Sequence, residues 1–312
     1  MTQFTDAQLA LGFVVPQMFS IEAEVYQTKY PSFDYASYLP VITEGNPWAR
    51  GTVFYSGDMA GAAKYLSGKG FDMPYATTAR SQLLTRHHLA GIGYEVTLEE
   101  INVAAMEGRN IDAEDAMGAR KIAEQFIFFD AMTGRVPGDT SSEKGKTGLL
   151  NDPNVSIAAA TGTFSASTPD QILAMVNSLI EGVHTGSQET EIADTLLLPF
   201  SQFSLMSRTR TGSAGDKSIM SFLRENNSYT AETGQPLNIR TQRLLVGAGG
   251  SGSNRMVAYK NDRTILRYHL PMPFQFLEPY KKNSMTIAND GIFRVGGTEI
   301  RLPKSVAYMD GV

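Results

Sequence analysis

The chain has 312 residues, 42% of them hydrophobic and 19% charged, which is a globular composition with room for a sizeable core or two modest domains. Its net charge of −5 argues against a protein that coats nucleic acid by bulk charge, although a local basic patch stays possible. Cysteine is absent, so disulfides, thiolate catalysis and cysteine-rich zinc sites are excluded.

The N-terminus, "MTQFTDAQLALGFVVPQ", carries an apolar run at 9–15 with no Lys or Arg before it and Asp6 in front, the reverse of a signal peptide. No run reaches the roughly 18 apolar residues of a membrane helix. The expectation is a soluble protein made and kept in the cytoplasm, without membrane contact. Residues 1–48 hold Tyr26, Tyr30, Phe33, Tyr35, Tyr38 and Trp48 among Pro16, Pro31, Pro40 and Pro47. Prolines at that density prevent a long helix. Two readings stay open: an extended arm whose rings lie on another surface, or a strand-and-loop edge of the chain's own core.

Residues 49–96 open with the strand-like "GTVFY", pass through a stretch with Gly57, Gly61, Gly68 and Gly70, and continue as the strand-like "RSQLLTRHHLAGIGYEV". So long a segment without a strong helix is usually functional or disordered, and a long hairpin reaching off the body would explain it. Helices then begin. In "VTLEEI" Thr97 and Glu100 form a capping box, Val96 can staple to Ile101, and Gly108 ends the helix. "IDAEDAMGARKIAEQFIFFDAMTG" follows, with Asp112 as N-cap, Gly134 as stop and a length of about 22 residues, roughly 33 Å. Ala116, Ala119, Ala123 and Phe126 form one stripe and the end is apolar nearly all round, which reads as a buried spine.

Residues 150–260 read as mixed α/β. In "STPDQILAMVNSLIEGV" Thr168 is the cap, Pro169 the first helical residue and Gln171 completes the box, with Ile172, Val176, Leu179 and Val183 on one face. "DTLLLP" and "IRTQRLLV" read as buried strands, with a short helix in "GDKSIMSFLRENN" between them. "RMVAYKNDRTILRYHLP" reads as a hairpin turning at Asn261-Asp262. "GIFRVGGTEIRLP" reads as a second, around Gly296-Gly297, with Arg294 facing Glu299 and Phe293 facing Ile300.

Candidate chemistry fails on context. Gly145-Lys146-Thr147 ends like a phosphate-binding loop, but Thr140 stands where the first glycine is needed, a helix precedes and Pro153 follows. Gly247, Gly249 and Gly252 match G-x-G-x-x-G, but strands rather than a helix follow, so a glycine loop between strands is the better reading. His87, His88, His184 and His269 show no ligand spacing, and no carboxylate pair marks acid–base work. Arg208, Arg210 and Lys217 in a loop could touch nucleic acid or a neighbour, though a solvated loop is the simpler reading. No catalytic residue, cofactor or metal is expected. An aromatic arm, a long projection and a spine helix serve contacts between chains.

The order of "EVYQTKYP" (24–31), "GIGYEVTLEEINVAAMEGRNIDAEDAMGARKIAEQ" (91–125), "GLLNDPNV" (148–155), "RMVAYKND" (255–262) and "GGTEIRLPKSVAYMDGV" resembles major capsid proteins of tailed phages with the Hong Kong 97-type fold, closest to the encapsulin-like coat families. The resemblance implies an α+β fold: an N-terminal arm (1–48), an extended loop laid over a neighbouring subunit (49–96), a peripheral domain with the spine helix (97–150), an axial domain (151–259) and peripheral C-terminal strands (260–312). Residues 145–155 would be the crossover from spine helix to axial domain, turned by its glycines and fixed by Asn-Asp-Pro. The implied function is self-assembly into homo-pentamers and homo-hexamers of an icosahedral head around double-stranded DNA, touched weakly and non-specifically. Portal and scaffolding proteins are the implied partners, decoration proteins stay open, and the virion is the implied location. Contacts between subunits are expected at Tyr26, Tyr30, Phe33, Tyr35, Tyr38, Lys64, Tyr65, Lys69, Phe71, Arg208 and Arg210. Some relatives cross-link through a lysine of the extended loop, where Lys64 and Lys69 lie here, but no partner asparagine or acid is identifiable and no cross-link is expected. The rival readings are a nanocompartment shell of the same fold and a nucleotide-dependent enzyme using loop 247–252.

Overall fold

The computed structural model describes residues 33–63, 65, 73–107, 111–136, 146–211 and 217–312. From Asp34 the chain forms β1 (Val41–Ile42), then β2 (Gly51–Ala60), β3 (Thr77–Arg86) and β4 (His88–Thr97). Two helices follow, α1 (Leu98–Glu107) and α2 (Ile111–Thr133). The next part runs β5 (Ser156–Ala159), α3 (Pro169–Gly186), β6 (Thr195–Leu198), α4 (Phe200–Arg208), α5 (Ile219–Glu225), α6 (Ser228–Thr233), β7 (Asn238–Thr241) and β8 (Arg255–Tyr259). It ends with β9 (Leu266–His269), β10 (Met272–Phe276), β11 (Tyr280–Lys281), β12 (Thr286–Val295), β13 (Gly297–Ile300) and β14 (Val306–Asp310).

Two packed layers result. In the first, β5, β14, β8, β6 and β7 lie side by side in that order, with β14 pairing antiparallel to β8 and parallel to β5. β6, β8 and most of β14 are buried, as their continuous apolar runs require. α3 covers this sheet. Its capping box is present, Thr168 accepting from the Gln171 backbone and donating its own backbone N–H to the Gln171 side chain, and Ile172, Val176, Leu179 and Val183 are all buried. The last strand of the chain thus sits inside a sheet built mainly from residues 156–259.

In the second layer β12 is central. It pairs with β4 over ten residues, Thr286 opposite Thr97 through Val295 opposite His88, while β10 and β11 share its other edge. α2 packs on β4, and Phe126 meets Phe293 edge-to-face at 5.2 Å between ring centroids. Only the second half of α2 is a buried spine. Ala119, Ala123, Ile127, Phe128, Ala131 and Met132 are buried, while Met117 and Ile122 face outward.

The end of α2 is held by the crossover. Gly134 adopts φ +66° and its N–H returns to the Asp130 carbonyl at 2.9 Å, a left-handed helix stop. The carbonyls of the last turn then find partners ahead of them. Leu149 N–H donates to Ala131 O, Leu150 N–H to Met132 O, and the Asn151 amide to Thr133 O at 2.7 Å. Gly148 lies so close to this turn that a Cβ there would stand 2.2 Å from the Met132 carbonyl carbon.

Several sequence expectations are corrected. Asp112 is the second residue of α2 rather than its N-cap, and its carboxylate accepts the Tyr94 hydroxyl at 2.7 Å. The strand in "IRTQRLLV" stops at Thr241. Gln242 then caps a short 3-10 turn over Arg243–Leu245, which satisfies backbone groups that a longer strand would leave past the sheet edge. Neither C-terminal hairpin forms. The chain does turn at Asp262, but β8 pairs with β14 and β6, and β9 pairs with β1 and β13. After β12, Gly297 at φ +84° sends β13 into the other small sheet, where Glu299 faces Arg267 instead of Arg294. Local pairing energies are small, so burial of β8 and β12 in larger sheets decides the partners. The strand-like piece after residue 80 is broken at His87: β3 belongs to a two-stranded ribbon with β2, β4 to the body.

Candidate assembly interface

The ribbon is the exposed device of this molecule. β2 and β3 pair over ten residues, Gly51 opposite Arg86 through Ala60 opposite Thr77, and neither pairs with any other described strand. Residues directly opposite share a face, so Val53, Tyr55, Leu84 and Gln82 point one way and Phe54, Thr52, Leu83 and Thr85 the other. The two faces differ near the root, although Leu83, on the same face as Phe54, is 57% exposed. Phe54 lies under the Arg301 guanidinium at 4.0 Å, and the Thr52 hydroxyl hydrogen-bonds His87 Nε2 at 3.1 Å. On the open face Val53 is 40%, Tyr55 69% and Leu84 57% exposed. Apolar side chains exposed together on an unpaired strand ribbon are a surface another chain can cover. The alternation in "GTVFY" carries this signal for Val53 and Tyr55, and Leu84 comes from the paired strand "RSQLLTR".

The root of the ribbon is tied down by a buried polar cluster. His87 N–H donates to Arg50 O, and Arg294 donates to the carbonyls of Ala49 and Pro47. The His87 ring lies 5.9 Å from that of His269, whose Nε2 is 2.5 Å from Glu299 Oε2, while Arg301 reaches the same carboxylate at 3.3 Å. Burial pushes Glu299 upward, but the bond and charge of His269 and the arginines outweigh it and hold this carboxyl below its ordinary value. Burial, with His269 next, pushes His87 below the ordinary 6.5.

A second surface lies at the other end of β4, about 30 Å away for ten strand residues. The capping box of α1 forms there, with Glu100 N–H donating to the Thr97 hydroxyl and Thr97 N–H to the Glu100 carboxylate. Leu98, Ile101, Val103 and Met106 are exposed beside Glu99, Glu100 and Asp112. The partner of Val96 in the expected staple is therefore turned to solvent. Burial, then Glu100, Glu114 and Asp112, raise the Asp115 carboxyl.

The other expected contact residues divide. Tyr26, Tyr30, Lys64, Lys69 and Phe71 lie outside the described residues, as does Gly108, and Phe33 is the first described residue. Tyr35 and Tyr38 are spent within the chain: Tyr35 packs 6.0 Å from Tyr268, and Tyr38 donates to Thr241 O at 3.0 Å beneath Arg240. Residues 35–42 thus pack partly on the chain's own sheet strands, whereas 43–48 are exposed, Trp48 among them at 61%. Tyr65 is fully exposed, and Arg208 and Arg210 are exposed at the end of α4 and just after it, while Lys217 pairs with Glu225.

Neither nucleotide motif is free to bind phosphate. Lys146 donates to Val295 O at 3.2 Å and lies 3.6 Å from the buried Asp130 carboxylate. The 247–252 loop closes on an anion of its own. Gly250 N–H donates to Asp310 Oδ2, a Cβ on Gly249 would stand 2.9 Å from the Asp310 carboxyl carbon, and Arg255 holds both Asp310 oxygens at 2.6 and 2.8 Å. Burial pushes Asp310 up, but Arg255 and the Gly250 amide together hold it below its ordinary value. Asp310→Asn leaves Arg255 buried without its counter-charge and is expected to cost about 3 kcal/mol at neutral pH, read by urea denaturation. The loss should disappear as pH falls below the ordinary carboxylate range, because Asp310 in the unmodified chain is then protonated too.

A mixed sheet with a covering helix, a long helix and a projecting ribbon is the architecture of one class: structural shell subunits of the Hong Kong 97 type. Solved capsids share it. The capsid of Myoviridae phage XM1 superimposes with a TM-score of 0.81 at 14% identity, covering 95% of this chain and 98% of that one. The capsid of a native GTA particle gives 0.66 at 9% identity over 99% of both chains, and Gordonia phage Cozz gives 0.60 at 13% over 96% and 93%. No curated protein matches the sequence. The profile of the major capsid protein family matches residues 61–312, and the chain belongs to that family. It is a structural capsid protein.

Proposed function

We propose that copies of this chain join head to tail into pentamers and hexamers of an icosahedral phage head that encloses double-stranded DNA, and that assembly rather than turnover is its whole activity. The observation that carries this reading is the ribbon, anchored by one face to its own body and offering Val53, Tyr55 and Leu84 on the other. In this scheme the ribbon is the extended loop and lies over a neighbouring subunit. The layer of α2, β4 and β12 is the peripheral domain. The five-stranded sheet with α3 is the axial domain, β14 included. Tyr65, Arg208 and Arg210 contribute to contacts between copies. A net acidic subunit suits DNA that slides past the inner wall with weak, non-specific contact. Assembly takes place in the host cytoplasm with a separate scaffolding chain and a portal.

Sedimentation velocity on the expressed 34.0 kDa chain, with negative-stain microscopy of the fractions, tests this. Megadalton rings or closed shells are the expected result. A small species alone, across salt concentrations and with a scaffold supplied, would overturn it.

A further inference from the structure

We propose that His87 is a pH-dependent latch at the root of the ribbon, which holds β2 and β3 to the body while it is neutral and releases them when it takes a proton. His87 is the single residue between β3 and β4, so the chain leaves the ribbon and enters the body at this imidazole. It is 8% exposed. Its Nε2 meets the Thr52 hydroxyl of β2, while its backbone N–H holds the Arg50 carbonyl just before β2, so one residue ties both strands of the ribbon.

The surroundings disfavour a further positive charge on balance, with only the Ala49 carbonyl favouring a proton on the ring. Gly296 packs against the ring so closely that a Cβ there would stand 2.7 Å from His87 Cδ2 and 2.6 Å from the His269 Cβ. The charged groups facing the imidazole are Arg294 of β12, Lys146 of the crossover and His269 of β9. The nearby carboxylates are already engaged, Glu299 with His269 and Arg301, and Asp130 with Lys146 and the Tyr268 hydroxyl. A proton on His87 therefore arrives among cations in a buried site, and the favourable response is to turn the ring out into water, which breaks the Thr52 bond. A histidine whose bound value is lowered contributes stability that is fully present above its ordinary 6.5 and is lost as pH falls below that value. The latch is closed at neutral pH and opens on mild acidification.

The latch rests on the fold of residues 34–312 and not on the shell reading. Hydrogen–deuterium exchange of the full chain, followed by mass spectrometry from about pH 7.5 to about pH 5.5 and normalised for intrinsic rates, reads it directly. Expected is a loss of protection at the amides of Thr52, Phe54, Thr85 and His87 that approaches tenfold per pH unit below 6.5, with β6 and β8 unchanged. In His87→Gln the same amides should show no pH step. A wild-type root that is flat with pH, or that loosens only together with β6 and β8, overturns the latch. So does a wild-type step that persists in His87→Gln. Should that variant fail to fold, C2-proton exchange of the His87 imidazole in the unaltered chain gives its midpoint, and a value at or above 6.5 is equally fatal. Shells that form from a chain with a flat profile would refute the latch alone. A chain that shows the step and never assembles would refute the shell reading alone.

Discussion

Val53→Asp combined with Leu84→Asp yields a folded, soluble subunit that does not form shells. The two residues are direct partners across the ribbon and share its open face with Tyr55. Both are exposed and the anchoring contacts of Phe54 and Thr52 are on the opposite face; Leu84 also borders a surface cleft lined by Lys146, Thr147 and Gly297. Thermal stability should therefore change little. Between copies the effect is large. Burying Val and Leu side chains is worth about 1.5–3 kcal/mol each, and a carboxylate in their place carries a further desolvation cost. Each ribbon contact then weakens by about 3–6 kcal/mol, a factor on the order of 10² to 10⁴, and a closed shell repeats that loss at every subunit. Deleting residues 58–72 should act in the same direction. Sedimentation velocity at matched concentration reads both. Normal shells from the double variant would remove the ribbon from the interface.

Gly148→Ala should be the most damaging single substitution inside the subunit. The added Cβ meets the Met132 carbonyl carbon, oxygen and the Thr133 nitrogen within 2.3 Å, and all three are backbone atoms at the end of a helix that cannot rotate away. Relief requires the crossover to lift off. That costs the bonds from Leu149, Leu150 and Asn151 to the last carbonyls of α2 and disturbs the Tyr308 hydroxyl, which donates to Leu149 O at 2.6 Å. Overpacking and the loss of these bonds together come to on the order of 4 kcal/mol. A melting temperature lower by about 10 °C is expected. An unchanged melting curve would mean that the joint between α2 and the five-stranded sheet is looser than its geometry implies.

How much of this was legible depended on range. The cap of α3 at Thr168, the stop of α2 at Gly134 and the box of Thr97 with Glu100 read correctly because a helix end is decided within four or five residues. Asp112 did not, because Tyr94, on a strand eighteen residues earlier, competes for its carboxylate. The two closing hairpins read wrongly although their local patterns were sound. Arg294 and Glu299 could face each other, but Arg294 finds the carbonyls of Pro47 and Ala49, and Glu299 finds His269 and Arg301. Tyr35 and Tyr38 were expected at a neighbour and lie on β7 and β9 of their own chain, a choice between two apolar surfaces that aromatic content does not decide.

By itself the sequence determined that this is a cysteine-free protein with a long spine helix, a long projecting segment before it and mixed helix and strand after it, and that its phosphate-loop motifs stand in the wrong context. These follow from composition, helix signals and failed spacing, all of them local. The tertiary structure alone decided which strands pair, that loop 247–252 closes on Asp310, that Phe54 and Thr52 anchor one ribbon face at its root, and that His87 and His269 meet although 182 positions separate them in the chain. Each of those outcomes is a competition between distant partners for the same backbone edge, carboxylate or apolar face. Such competitions are settled by total burial, which a stretch of sequence does not contain.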